Sequence, residues 1–434
     1  MARKVFISFL GATNYTPAKY YVEGQLIQTI PELRFVQEVT IKAFCQSFEE
    51  TDKVFILTTQ EALKNWNDGE HQNRKTNTNE WLEGLKSRLE KLDLLCELKN
   101  IMVPDGQTKE EIWEIFNTIF RLFQENDQVY FDITHGFRTL PMLNLVLINY
   151  AKLLLDIKVA GIYYGAFDAK MNIDGVEVAP IWDLTDFAKL QDWTNNASLF
   201  LNAGNAEALT QQITSHPYQP LKKYLKAFSE FTLGNRGLDI YDGQTILKLR
   251  NELQSDIEPE DPAFAALKPI LNKINEEFNA YRLKSSINGF LAVKWCIQNG
   301  LIQQAFTLLE EFITTFLMEE LEYGEYISDS KKRTTISAAL TIGKGTEFKY
   351  DEENDSVKKW QQEAVEKING YENKKKLGKI ANKIKKSARD DISHAGFRAN
   401  PRTFDEFKTS AIKRYKEVRN LLKKIKGIEL PELS

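Results

Sequence analysis

Residues 129–139 read Val-Tyr-Phe-Asp-Ile-Thr-His-Gly-Phe-Arg-Thr. The first five, Val129–Ile133, are β-branched or aromatic apart from one aspartate, as expected of a strand buried on both faces. Thr134-His135-Gly136 ends the run, and from Leu140 to Leu155 the apolar spacing becomes helical. A strand turning directly into a helix is half of a strand–helix–strand crossover. Four more short apolar runs accompany it: Val5–Leu10, Val54–Thr58, Leu98–Val103 and Val159–Tyr164. Helical patterns at Phe35–Phe48, Trp81–Leu95 and Lys109–Phe123 lie between them, and Gly69–Thr78 (GEHQNRKTNT) reads as a polar loop. This alternation predicts an α/β domain over residues 1–185, a Rossmann-like doubly wound parallel sheet with crossover helices.

Beyond Pro180 the strand signals fade. Residues 186–300 read as helices broken by Pro217, Pro220, Pro259, Pro262 and Pro269, a helical linker domain. Residues 301–434 read as an all-α domain, with Gln303–Leu321 and Phe407–Lys426 apolar at helical spacing. No internal repeat or low-complexity tract is found.

The composition agrees with a globular chain. The 434 residues are 42% hydrophobic and 27% charged, which excludes disorder over the whole length. No run approaches the roughly 20 apolar residues of a membrane span. Val5–Leu10 is shorter than the core of a signal peptide, about 7–15 residues, and reads as the first strand. Cys45, Cys96 and Cys296 are far apart and odd in number, so they are expected as buried small hydrophobes in a reducing cytoplasm. The net charge of −4 conceals an asymmetry. Residues 1–187 hold 19 Lys or Arg against 27 Asp or Glu, whereas residues 361–434 hold 19 against 10. The basic end is where a polyanion would bind, although a solvated helix face would have the same composition.

Two loops have the content of a ligand site. In a doubly wound sheet the ligand lies beyond the C-terminal strand ends, near the switch in strand order. Gly11-Ala12-Thr13-Asn14-Tyr15 follows the first strand, and Asp132–Thr139 follows the fourth and opens a helix. Helix N-termini present free N–H groups to phosphate, and Gly136, Arg138 and the Thr134 or Thr139 hydroxyls could contribute. The turn is equally what helix capping looks like, and neither GxxxxGK[ST] nor GxGxxG is present. The second constellation is Arg389-Asp390-Asp391-Ile392-Ser393-His394. Arg and His five apart can approach one phosphate, and RNA cleavage by its own 2′-hydroxyl needs a base, a cation and an acid but no metal. Upstream run Lys374, Lys375, Lys376, Lys379, Lys383, Lys385 and Lys386, enough to hold a phosphate backbone. His71, in the polar loop, and His216, before Pro217, have no partner at metal-ligand spacing, and HExxH, CxxC and GxSxG are absent.

The GATNY loop, the DITHGFR turn and the late R-x-x-x-x-H, in that order, resemble the CRISPR-associated CARF–HEPN ribonucleases of type III systems. The resemblance implies a CARF sensor of cyclic oligoadenylate followed by a helical HEPN domain that cleaves single-stranded RNA at a dimer interface. Carried over by position, Gly11, Thr13, Asn14 and Tyr15 would line one wall of the nucleotide site and Thr134, His135, Gly136 and Arg138 the other. Arg389 and His394 would be catalytic, Ser393 and Asp390 would orient them, and Lys379, Lys383 and Lys386 would hold RNA. The activator is expected to be cyclic tetra-adenylate, with cyclic hexa-adenylate the alternative; no metal or other cofactor is expected. Two half-sites across a two-fold suit a symmetric ring, so a homodimer or a higher homo-oligomer is expected, cytoplasmic and without membrane contact. A regulator that senses the ligand and binds nucleic acid without cutting would share the sensor and the lysines but would not need both Arg389 and His394. A cytosolic nucleotide-binding enzyme acting at the first-domain loops, with the helices serving only dimerisation, is a third reading.

Overall fold

Val5–Leu10 is apolar at almost every position because β1 (Lys4–Phe9) lies at the centre of a sheet covered on both faces. The computed structural model describes residues 2–22, 33–73, 78–135, 140–173, 175–213, 218–254, 266–343, 346–385, 397 and 400–433. Strands β3 (Lys53–Thr58) and β7 (Gln128–Asp132) flank β1, both parallel to it. Beyond them lie β6 (Glu97–Met102) and β8 (Lys158–Gly165), also parallel. Side chains alternate between the two faces. Val5, Ile7 and Phe9 join Phe55, Leu57, Val129 and Phe131 against α4 (Lys109–Phe120) and α5 (Leu140–Leu155). Phe6 joins Val54 and Ile56 against α1 (Val36–Phe44) and α3 (Leu85–Glu90). Helices on both faces of a five-stranded parallel core make the doubly wound arrangement expected from the sequence.

The sheet is nevertheless mixed. β10 (Val176–Asp183) runs antiparallel to β8, and the three-residue β2 (Tyr20–Val22) pairs parallel with β10 at the edge. Pro180 lies inside β10 without breaking it. Ala179 N–H donates to Lys19 O, and the Pro180 carbonyl accepts from Ala166 N–H. The donor that proline lacks falls just past Gly165–Ile181, the last pair of the β8 ladder.

Two expectations are corrected. The described residues of the expected Gly69–Thr78 loop are strand: Gly69–Asn73 (β4) and Thr78–Leu82 (β5) pair antiparallel. The helix expected over Trp81–Leu95 is reduced to α3, because Trp81 and Leu82 belong to β5 and Gly84 opens the helix from an extended conformation.

The chain divides into two compact units, 1–189 and 190–434, with the break inside α6 (Thr185–Ala203). The second unit is helical. Pro220 and Pro269 stand in the first turns of α8 (Gln219–Leu233) and α11 (Lys268–Glu276), where a missing N–H costs nothing. Its centre is α12 (Ser286–Gln298), buried on nearly all sides. A Cβ at Gly289 would come within 1.8 Å of the Phe312 ring, so the glycine allows α13 (Ile302–Glu320) to pack close. One apolar cluster runs from Ala197 to Leu430, so the helices on either side of residue 300 share a core. Further along are α14 (Ser330–Thr341), α15 (Asp355–Gly370), α16 (Lys374–Ile384) and α17 (Phe404–Lys426), the last held by a Thr403–Glu406 capping box and ended by left-handed Gly427. All three cysteines are buried and free. Among the described residues, no helix is long and apolar enough to cross a membrane.

Candidate functional site

The strand order switches at β1, which has β3 on one side and β7 on the other. The loops leaving the C-terminal ends of β1 and β7 therefore meet, and the structure ties them together. The Tyr15 ring lies edge-on to His135, with centroids 4.8 Å apart, and also packs on Phe35. Its hydroxyl accepts a 2.7 Å hydrogen bond from Gly11 N–H. A Cβ on Gly11 would lie 3.1 Å from that hydroxyl and 3.2 Å from His135 Nδ1, so residue 11 is a point of close approach between the loops. Thr13 and Asn14 are exposed at the tip.

The two loops are fixed from beneath. Asn65 is buried, and its Nδ2 donates to the carbonyls of Gly11 and Thr13, both at 2.9 Å. Gln37 Nε2 donates to Phe9 O at 2.8 Å. Under the second loop lies Asp132, 1% exposed, whose register partner on β1 is Ser8. One carboxylate oxygen accepts from Ser8 Oγ and Thr40 Oγ1, each at 3.1 Å. The other accepts from Thr134 N–H at 3.0 Å and Thr134 Oγ1 at 2.6 Å. Thr134 Oγ1 in turn accepts from Gly165 N–H at 2.7 Å. The Thr134 hydroxyl thus works as a strut between β7 and β8 rather than pointing a donor at a ligand.

Burial sets the electrostatics of this floor. It lowers the pKa of His135 below the usual imidazole value, against the opposing charge of Asp132, so the ring is neutral at pH 7. Burial also raises the Tyr15 phenol well above its ordinary value, and moves Tyr20 up to about 12. The floor is therefore aromatic and tightly bonded, with a neutral His135 above the Asp132 carboxylate and exposed loop tips, so an anion held here would depend on local donors.

His71 belongs to β4 and is buried, beside the buried Arg34, whose Nη1 donates to Glu83 O at 2.9 Å. Burial lowers the His71 pKa as well, so it is a neutral packing residue. Among the described residues no three His, Cys, Asp or Glu side chains converge as a metal site requires.

The structure brings together Gly11, Tyr15, Thr134 and His135, with Thr13 and Asn14 at the rim. Gly136, Arg138 and Thr139 lie outside the described residues, as do Arg389, Asp390, Ser393, His394, Lys386 and His216. Of the lysines, Lys375, Lys376 and Lys379 are exposed on α16. Lys383 faces Glu417 at 3.7 Å, and Lys385 bonds Ser337 Oγ at 3.1 Å with Glu310 at 3.9 Å. The positioning residues Ser8, Gln37, Thr40 and Asn65 had no sequence signal, since each acts on a loop distant in the chain.

Residues 5–168 match the family described as CRISPR system endoribonuclease Csx1, CARF domain. The first unit is thus similar to a CARF domain over most of its length. Residues 189–286, which open the second unit, match the second domain of CRISPR-associated protein MJ1674. The CRISPR-associated protein MJ1674 of Methanocaldococcus jannaschii is 28% identical over 171 residues, 39% of this chain and 23% of that protein. The CARF match ends within the 3-10 turn Phe167–Ala169, so it covers the parallel core and both site loops but not β10.

Proposed function

We propose that the protein is a homodimeric, cytoplasmic endoribonuclease of type III CRISPR defence, activated by cyclic oligoadenylate and independent of metal. The observation that carries the reading is the pair of joined loops at the C-terminal ends of β1 and β7 in a CARF-like domain, anchored by Asn65 and Asp132. The matched family also bears the name of an endoribonuclease. The exposed tip Thr13–Asn14 and the turn from His135 to Arg138 would hold half of a ring, tetra-adenylate in the first instance, and a second copy the other half.

An apolar face supports two copies. The inner side of α5, with Leu147, Ile148 and Ala151, packs on the sheet. Its outer side shows Met142 (76% exposed), Val146, Leu153 (83%) and Leu154, and Trp113 on α4 is also exposed. Helix α5 begins at Leu140, five residues after His135 in the chain, so a two-fold packed on this face would bring two half-sites near one another, and the apolar face would be covered.

In the helical unit, His394 would take the 2′-hydroxyl proton while the 2′-oxygen attacks the phosphorus. Arg389 would stabilise the charged phosphorane, and a protonated imidazole, from the partner copy, would protonate the leaving 5′-oxygen. The products are a 2′,3′-cyclic phosphate and a 5′-hydroxyl, which balance without metal or oxidant. Ring binding would act by biasing two arrangements of the dimer. The test is a labelled RNA incubated with the purified protein and each candidate ring in chelator. Ring-dependent cleavage leaving 2′,3′-cyclic phosphate supports the proposal. A strict divalent requirement or 3′-hydroxyl ends would rule it out, and RNA binding without cleavage would identify a regulator.

A further inference from the structure

The helical unit contains a solvent-open cleft of about 1560 Å³ between the segment that follows α14, the end of α15 and the start of α16. One part of its lining is the α16 face carrying Lys374, Lys375, Lys379 and Asn382. Another is aromatic: Phe348, Tyr350 and Tyr371. These three rings pack partly onto the main apolar cluster, with Phe348 and Tyr350 centroids 5.1 Å apart, so they form a braced platform rather than a mobile patch. Lys375 and Lys379 are exposed and one helical turn apart, about 6 Å along the axis, the order of the spacing between successive phosphates of a strand. Glu347, Glu352 and Glu372 also line the cleft, and Glu352 lies 3.6 Å from Lys358. Bulk charge therefore does not define the ligand. What does is the pairing of a lysine edge with an aromatic edge, the arrangement that holds single strands by their phosphates and stacked bases. The cleft is also larger and more open than the 300–1,000 Å³ or so of small-molecule sites. Helix α16 ends at Ile384, and Arg389 follows five residues later in the chain.

We propose that this cleft is the track for single-stranded RNA, with bases stacking on Phe348, Tyr350 and Tyr371 and phosphates running along Lys375 and Lys379. The assignment of RNA rests on the ribonuclease reading above; the cleft and its two edges do not.

The test uses full-length His394→Ala protein, so that the strand survives, and a fluorescein-labelled 12-nucleotide uridine RNA followed by anisotropy across a salt series. Tyr350→Leu keeps apolar volume but removes the stacking ring, and is expected to weaken binding about tenfold with the salt slope unchanged. Lys375→Ala with Lys379→Ala, both at exposed positions where folding is not at issue, is expected to lower the log–log salt slope by about 1.4. Independently of any substitution in the cleft, 4-thiouridine crosslinks should map to residues 348–350 or to Tyr371. Parental affinity and salt slope in both variants, or crosslinks confined elsewhere, would overturn the proposal. If these predictions hold but the wild type cuts no RNA with any ring, the ribonuclease reading fails and the RNA track stands.

Discussion

Asp132 offers a stringent test of the CARF floor, because two substitutions at one position should behave oppositely. Its carboxylate accepts four hydrogen bonds while 1% exposed: from Ser8 Oγ, Thr40 Oγ1, Thr134 N–H and Thr134 Oγ1. Asp132→Ala removes every acceptor and leaves a buried amide and three hydroxyls to find others. Hydrogen bonds to a charged group are worth about 1.5–3 kcal/mol each, but here they are not additive. The hydroxyls can turn, Thr40 to the Val36 carbonyl at 3.3 Å and Ser8 to the Phe9 carbonyl at 3.5 Å. The loss is therefore expected at about 3–5 kcal/mol, the upper end for a single substitution. Asp132→Asn keeps one oxygen for Thr134, and its amide can donate to the reoriented Ser8 and Thr40 oxygens. It should cost about 1 kcal/mol or less, since each of the four contacts survives in kind. Hydrogen exchange read by peptide mass spectrometry suits a chain of two units, for which a single unfolding transition is not defined. Amides of β1 and β7 should lose protection by about 150- to 5,000-fold in the alanine variant and about fivefold or less in the asparagine variant. Equal losses in the two variants, or an alanine variant within about 1 kcal/mol of wild type, would refute the bonding scheme.

Three further outcomes test the proposed ligand turn, the floor beneath it and the two-fold. Arg138→Ala should weaken ring binding by about 1.5–3 kcal/mol in a calorimetric titration while saturating ring still activates; an unchanged midpoint would make the DITHGFR turn a helix cap. His135 is held neutral by burial, so its folded pKa lies below its unfolded value. Its contribution to stability is present above about pH 6.5 and is lost as the pH falls from there through the folded pKa, so protection of β1 and β7 should fall with acid and the dependence should flatten in His135→Gln. Leu153→Glu on the outer face of α5 should convert dimer to monomer in sedimentation and abolish ring activation, whereas a monodisperse wild-type monomer would remove the two-fold reading.

The legible parts of the fold are those in which one strand meets water on neither face. β1, β3, β7 and β8 appear in the sequence as near-continuous apolar runs because helices cover both sides of them. β2 escaped notice because three residues carry no period, and β10 because Pro180 reads as a breaker; its tolerance depends on where the neighbouring ladder ends. The β4–β5 pair lies outside the main sheet and has no apolar run to betray it. At the candidate site, the two loops were legible as loops that follow strands at a switch point, whereas Gly11, Tyr15 and His135 were named individually only by the family resemblance. Asn65 was not, since its bonds reach 54 and 52 residues back along the chain. Thr134 was expected to offer its hydroxyl to a ligand, whereas that hydroxyl is aimed at Asp132 and Gly165, a consequence of strand register that no local pattern encodes.

Ring-stimulated RNA cleavage by purified His394→Ala and Arg389→Ala protein, in EDTA, tests the central claim most directly. His394 is the last histidine of the sequence, His216 being the one before it, so no neighbour in that part of the chain can replace it in shuttling a proton near neutral pH. Each variant is expected to retain ring binding and the dimer while losing cleavage, and the double variant to be no worse than either alone, because the pair acts as a unit. Wild-type rates of ring-stimulated cleavage in His394→Ala would contradict the account.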